Sequence, residues 1–179
     1  MALTRINNQT LTNVTSAGLP SGTVLQVVGN TYTGRFDTNS QSYEEVTGLR
    51  TSITPVSTSS KVLVQINVTY SLDGHGGFKV YRSQGGTDTL LSVGDANGSQ
   101  SREVVHDYRN SGTSAYGSDS ASVTILDTPA TTSAVSYKLF AGVPHASSYN
   151  ITVNRQFSEG NYAYSAGTIS TMTLMEIAG

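Results

Sequence analysis

Cysteine and tryptophan are both missing from this 179-residue chain. Without cysteine there is no disulfide, no thiolate nucleophile and no Cys-ligated zinc. Charge is scarce too: 12 acidic and 10 basic residues bring the charged share to 12%, well under that of an ordinary globular domain. The net charge of −2 comes without any run of Lys or Arg, so the basic footprint of a nucleic-acid binder is missing. No apolar run approaches membrane-spanning length. The opening MALTRINNQT has no apolar stretch of signal-peptide type, which predicts assembly in a reducing cytoplasm and no membrane insertion. The five Asn-x-Ser/Thr sequons, at Asn8, Asn13, Asn67, Asn97 and Asn150, then carry no weight.

What is abundant is Ser, Thr, Gly (18) and Tyr (10). Thr and Tyr suit strands, while Gly and Ser suit turns, so the bias points to an all-β fold. Disorder is the competing reading of such a composition, and repeated Val/Ile/Leu alternation argues against it beyond the N-terminus. The clearest case is Lys61–Tyr70, where Val62, Val64, Ile66, Val68 and Tyr70 share one face and Gln65, Asn67 and Thr69 the other, with Leu63 as the exception. Further strands are expected over Thr23–Val28, Tyr43–Thr54 with a break at Gly48, Gly77–Ser83, Thr89–Val93, Arg102–Tyr108, Ala121–Leu126, Val135–Ala141, Tyr149–Gln156 and Thr168–Ile177. Leu72–Gly76, Asn30–Ser42 and Gly94–Gln100 read as loops. This pattern predicts one antiparallel β-sandwich or barrel over residues 21–179, preceded by an extended polar arm over residues 1–20.

Candidate chemistry is sparse. No Ser lies in G-x-S-x-G, and no glycine loop matches a phosphate-binding or dinucleotide fingerprint. Asp37, Glu44, Glu45 and Glu159 form a carboxylate pair only if the fold happens to bring two together. His75, His106 and His145 come from distant segments without metal-type spacing and are read as surface residues; a three-fold axis could gather copies of one of them. GDANGSQ, Gly94–Gln100, lacks the later ligands of a calcium loop and is read as a turn. Asp127 and Pro129 mark a sharp corner between strands, and Lys79, Arg82 and Arg109 are assigned polar surface or interface contacts. The expectation is therefore a protein that is not an enzyme and that needs no cofactor or metal. Its candidate contacts are Leu3, Ile6, Leu11 and Val14 for anchoring through the arm, and the loop residues Tyr116, Tyr162 and Tyr164 for an outward receptor surface.

Several segments carry a family likeness: MALTRINNQTLTNV running into LPSGTVLQVV, the strand pair GLRTSITPVSTSSKVLVQINV, the corner LDTPATTSAVSYKLFAG and the end STMTLMEIAG. In these the chain resembles small virion proteins of tailed phages, especially of marine and cyanobacterial hosts. The resemblance implies a jelly-roll module similar in architecture to the heads of tumour necrosis factor and complement C1q. It implies a homotrimer, bound through its N-terminal arm to other virion proteins, as a capsid decoration, tail-fibre tip or short appendage. Host attachment through a surface glycan would be a second task. No coiled-coil heptads or shaft repeats separate arm from domain, which favours a short appendage or a decoration over a long fibre. A free lectin-like trimer and a glycan-cleaving appendage enzyme are the two rival readings.

Overall fold

The computed structural model describes residues 19–91, 93–109, 117–157, 160–163 and 165–179. The expected arm residues Leu3, Ile6, Leu11 and Val14 lie outside them. The described chain is all-β and antiparallel, as the composition predicted, and its organisation follows from one strand. β4, Lys61–Gln84, runs for 24 residues. Its first half lies between β10 (Ser170–Ile177) and β7 (Asp119–Asp127). Its second half lies between β8 (Val135–Gly142) on one side and β5 (Thr87–Leu91) with β6 (Val105–Arg109) on the other. β1 (Val24–Tyr32) extends the first half beyond β10, and β3 (Glu44–Ile53) extends the second beyond β8, giving the path β1-β10-β4-β8-β3. The short β2 (Phe36–Thr38) pairs with β9 (Asn150–Val153), which pairs with Tyr70–Asp73 of β4.

The sequence predicted two strands here with a loop at Leu72–Gly76; the structure corrects this to one bent strand. Gly74, at φ 84°, occupies the left-handed region that side-chain-bearing residues avoid. With Gly76 and Gly77 it lets the ladder bend without breaking, and Leu72, Phe78 and Val80 stay inward and buried on either side. The alternation read from Lys61–Tyr70 holds: Val62, Val64, Ile66 and Val68 are fully buried and Tyr70 nearly so. Val46 and Leu49 of β3, Tyr137 and Leu139 of β8, Ile151 of β9, and Met172 and Leu174 of β10 complete one continuous apolar core. Each such side chain contributes about 1.5–3 kcal/mol of transfer free energy.

The predicted break at Gly48 is a register shift between Glu45 and Arg50 in the β3–β8 ladder. The Tyr32 ring lies against Gly48, in the space a Cβ would need. β2 falls inside the expected Asn30–Ser42 loop and is a correction to it. The connection leading into it is held by Asn154, whose amide donates to the carbonyls of Tyr32 at 2.8 Å and Gly34 at 2.9 Å. Asn154 Oδ1 accepts from Ser170 Oγ at 2.6 Å, and Asn154 N donates to Thr69 O at 2.9 Å. Asn tolerates the φ of 60° found there better than a branched residue would.

Candidate functional site

The bent part of β4 builds a cleft. In the β4–β6 ladder His75 lies opposite Tyr108, and Gly77 opposite His106. Directly paired residues of an antiparallel ladder share a face, so the rings of His75 and Tyr108 stack at 4.3 Å between centroids. From the β8–β9 connection, His145 meets His75 edge-on at 5.2 Å and stacks with Tyr149 at 5.9 Å. His106 completes the group at 5.8 Å from His75. The three histidines of the chain, each read from sequence as a separate surface residue, thus line one cavity of about 600 Å³ with Ser99, Gln100, Ser101 and Pro144.

Two glycines of β4 make room for the neighbours of these histidines. Tyr149 lies against Gly74, and the Glu103 carboxylate against Gly77, both in the volume of the missing side chains. Glu103 accepts at Oε2 a 2.6 Å contact with His106 Nδ1, which fixes the imidazole ring. Its side chain is only 2% exposed, and its Oε1 has no hydrogen-bond partner among the described residues. Burial pushes the Glu103 pKa up; the bond to His106 opposes this without reversing it. The turn predicted at Gly94–Gln100 closes with Gln100 N donating to Asn97 O at 3.1 Å, and it carries the hydroxyls of Ser99 and Ser101 to the rim. Ser101 Oγ lies 3.0 Å from the Tyr43 hydroxyl, whose ring faces Lys79 Nζ at 3.9 Å. Among the described residues no group of three or more His, Cys, Asp or Glu is arranged to hold a metal ion.

A second feature lies on the other half of β4. Val27 pairs with Met175, Met175 with Leu63, and Leu63 with Leu126, giving one apolar row across β1, β10, β4 and β7. Val27 and Leu126 are 58% and 56% exposed. On one side the rows Gly29–Thr173–Gln65–Thr124 and Thr31–Thr171–Asn67–Ser122 are uncharged, and on the other the exposed Lys61 pairs with Ile177. The outer residues of β3, β8 and β5 are unlike these. There Arg50 pairs with Glu45 at 2.7 Å and Lys138 with Asp88 at 3.0 Å, the pattern of a face solvated by water.

Of the receptor residues expected from sequence, Tyr116 and Tyr164 lie outside the described residues. Tyr162 is 58% exposed, lies over Gly160, and lines a separate cavity with Arg35 and Asn161. The candidate carboxylates separate: Glu44 accepts from Thr38, Glu45 binds Arg50, Asp37 meets Arg155, and Glu159 is outside the described residues. Arg82 binds Asp127, Arg109 binds Asp119, and Lys79 faces Tyr43, which fits the polar contacts assigned to them. Sequence reasoning missed His75, Tyr108 and Tyr149 as a group. Its available signal was D-G-H-G-G, a histidine set among glycines inside an otherwise strand-like run.

No protein-family model matches the chain, and no curated protein matches it. Among solved structures, a chain in the structure of infectious bursal disease virus Gx strain aligns at a TM-score of 0.38 and 12% identity. The alignment covers 85% of this chain and 38% of that one, so this chain spans well under half of that chain's length.

Proposed function

We propose that the chain is a structural module of a virus particle, of capsid-decoration or short-appendage type, that works by binding and self-association rather than by catalysis. The observation that carries this reading is the contrast between two sheet faces. One is laced with the ion pairs Arg50–Glu45 and Lys138–Asp88, while the other carries a single charge, Lys61 at the end of β4, and is crossed by the row Val27–Met175–Leu63–Leu126. A sheet face with so little charge and an apolar row across it is the composition of a subunit contact. The sequence likeness to tailed-phage virion proteins supports a trimer as the assembly, with residues 1–20 reaching a neighbouring virion protein. Attachment to a host surface would be a second task, carried by the cavity that His75, His106 and His145 line.

Light-scattering mass of the full-length protein tests the association: a trimer is expected, and Leu126→Lys with Val27→Lys should reduce it to a monomer. Protein mass spectrometry of particles made by the genome that encodes the chain tests the location. Its presence at a fixed copy number, in multiples of three, is expected; a chain missing from purified particles would overturn the reading.

A further inference from the structure

We propose that Asn97 is a modification site: in the folded chain it converts over time, without an enzyme, to aspartate and isoaspartate, and the change reshapes the rim of the histidine-lined cavity. The reaction needs neither a particle nor the attachment task named above.

The sequence supplies the reactive pair. Asparagine is thermolabile because its amide carbon can close a five-membered ring on the backbone nitrogen of the next residue. A side chain on that next residue crowds the ring, and glycine has none. Of all the asparagines in the chain, Asn97 alone is followed by glycine. The Gly98 nitrogen, giving up its proton, bonds to Asn97 Cγ; the Cγ–Nδ2 bond breaks, and ammonia leaves with that proton. Water then opens the succinimide at either carbonyl. Cleavage at Cγ leaves aspartate, and cleavage at the main-chain carbonyl leaves isoaspartate. Ammonia is lost, water is gained, and nothing is oxidised or reduced.

The structure leaves the pair free to react. Asn97 and Gly98 are both exposed, Gly98 has a φ of 55°, and nothing lies within 4 Å of the place its Cβ would take. Among the described residues, neither the Gly98 N–H nor the Asn97 side-chain amide makes a hydrogen bond. Other asparagines are held. Asn30 donates to the carbonyls of Gly48 and Arg50, Asn67 accepts from Ser122, and Asn154 is buried with both side-chain polar atoms bonded. The chemically related Asp73–Gly74 pair is locked in ladders, Asp73 opposite Asn150 and Gly74 opposite Arg109.

The turn leads directly to the cavity. It closes through Gln100 N and Asn97 O at 3.1 Å, and its residues Ser99 and Gln100, with Ser101 after them, line the cavity. Isoaspartate routes the chain through Cγ. This adds one main-chain atom at the entry to the turn, and the old Asn97 carbonyl, acceptor of the Gln100 N–H, becomes a free carboxylate beside Asp95 on the same loop. The base of the loop stays tied, by Arg102 Nε donating to Gly94 O at 2.7 Å and by Ser101 Oγ at 3.0 Å from the Tyr43 hydroxyl. The displacement therefore falls on Ser99 and Gln100.

The experiment ages the full-length protein at mildly alkaline pH and body temperature, folded and in guanidinium, and follows it by tryptic peptide mapping with mass spectrometry. Cleavage after Arg82 and Arg102 releases Ser83–Arg102, in which Asn97 is the single asparagine. In the folded protein Asn97 should gain acid at least about tenfold faster than any other asparagine among the described residues, and isoaspartate should be among its products. Histidine-edited NMR of the aged protein should show shifted imidazole signals for at least one of His75, His106 and His145. Aged Asn97→Gln, whose longer side chain cannot close the five-membered ring, should keep the spectrum of the fresh variant. The inference is overturned if another described asparagine converts faster, or if folding slows Asn97 by more than about tenfold against the denatured chain. Imidazole signals that stay unchanged with age, or that shift equally in Asn97→Gln, would overturn it as well.

Discussion

The phenol of Tyr137 donates to Oδ2 of Asp127 at 2.8 Å, and the same carboxylate receives Arg82 Nη1 at 2.9 Å from each oxygen. Tyr137 is fully buried, so its hydroxyl depends on this one acceptor. The sequence pointed to Asp127 as a corner residue; the fold adds that it joins the end of β7 to β4 and β8. Asp127→Ala would leave the Tyr137 hydroxyl and the Arg82 guanidinium without their partner. Removing one member of such a mostly buried set costs about 2–4 kcal/mol. The urea midpoint should fall accordingly with an unchanged slope, and a loss under about 0.5 kcal/mol would show that water replaces the carboxylate.

Two tyrosines should resist alkali. Burial, then the charge of Asp107 and the hydrogen bond to it, push the Tyr70 pKa up to about 12. Burial and the bond to Asp127 drive that of Tyr137 up further. A raised folded pKa means that the stability tied to the protonated phenol is complete below the ordinary tyrosine value of 10.0 and is lost as the pH rises through about 12. Spectrophotometric titration at about pH 11 should therefore leave at least two phenols un-ionised in the folded protein and none in guanidinium. Full ionisation of the folded protein at that pH would contradict the packing around both rings.

Glu176 should mark the acid limit. It is fully buried, and its carboxylate accepts from Gln26 Nε2 at 2.5 Å and from Val56 N at 2.8 Å. Burial raises its pKa, but the hydrogen bonds to the charged form outweigh that, and the net shift is downward from 4.5. A depressed folded pKa contributes stability above the unfolded value, and that stability is lost as the pH falls through the folded one. Glu176→Gln sets an amide N–H against a donor it cannot satisfy and should cost about 1–3 kcal/mol near neutrality. The variant should also lose less stability than the parent between neutral pH and pH 3, as read by chemical denaturation. Parallel curves would remove Glu176 from the account of acid sensitivity.

Gly77→Ala should disturb the cleft indirectly, through Glu103 and the His106 ring that it holds. The new methyl meets the Glu103 carboxylate and the Val105 carbonyl, and the backbone oxygen has little freedom to yield. Overpacking of this kind costs about 1–3 kcal/mol. Displacing Glu103 should also release the His106 ring, which histidine-edited NMR would report as changed imidazole shifts for His106. An unchanged His106 spectrum would mean that Glu103 does not hold the ring.

The elements that sequence resolved were those with an uninterrupted period of two. Val62 to Val68 and Val135 to Leu139 alternate cleanly because one side packs on the core and the other does not. Gly74 and Gly76 read as loop residues because glycine in a strand and glycine in a turn look alike until the flanking ladder is known. β2 is invisible because three residues cannot display a period, and its partner β9 lies more than a hundred positions away. The cleft was illegible for a related reason. His75 and Tyr108 become neighbours only through the β4–β6 register, and His145 arrives from a third segment. The apolar row was hidden in the same way, since Leu63 looked like a lone exception to its strand's pattern until Met175 and Leu126 were set beside it.

Since β4 pairs with β5, β6, β7, β8, β9 and β10, most of the described ladders are anchored to a single stretch of chain. β5 pairs with it across the short Gly85–Gly86 turn, but β10 and β7 come from far along the sequence, Ile177 opposite Lys61 and Asp127 opposite Val62, and close only after long loops have been drawn in. Such a molecule gathers late and all at once. Nicking it at a loop tip would leave the ladders standing, whereas a nick at Gly74 would divide the one segment that both halves share and leave neither a template to close upon.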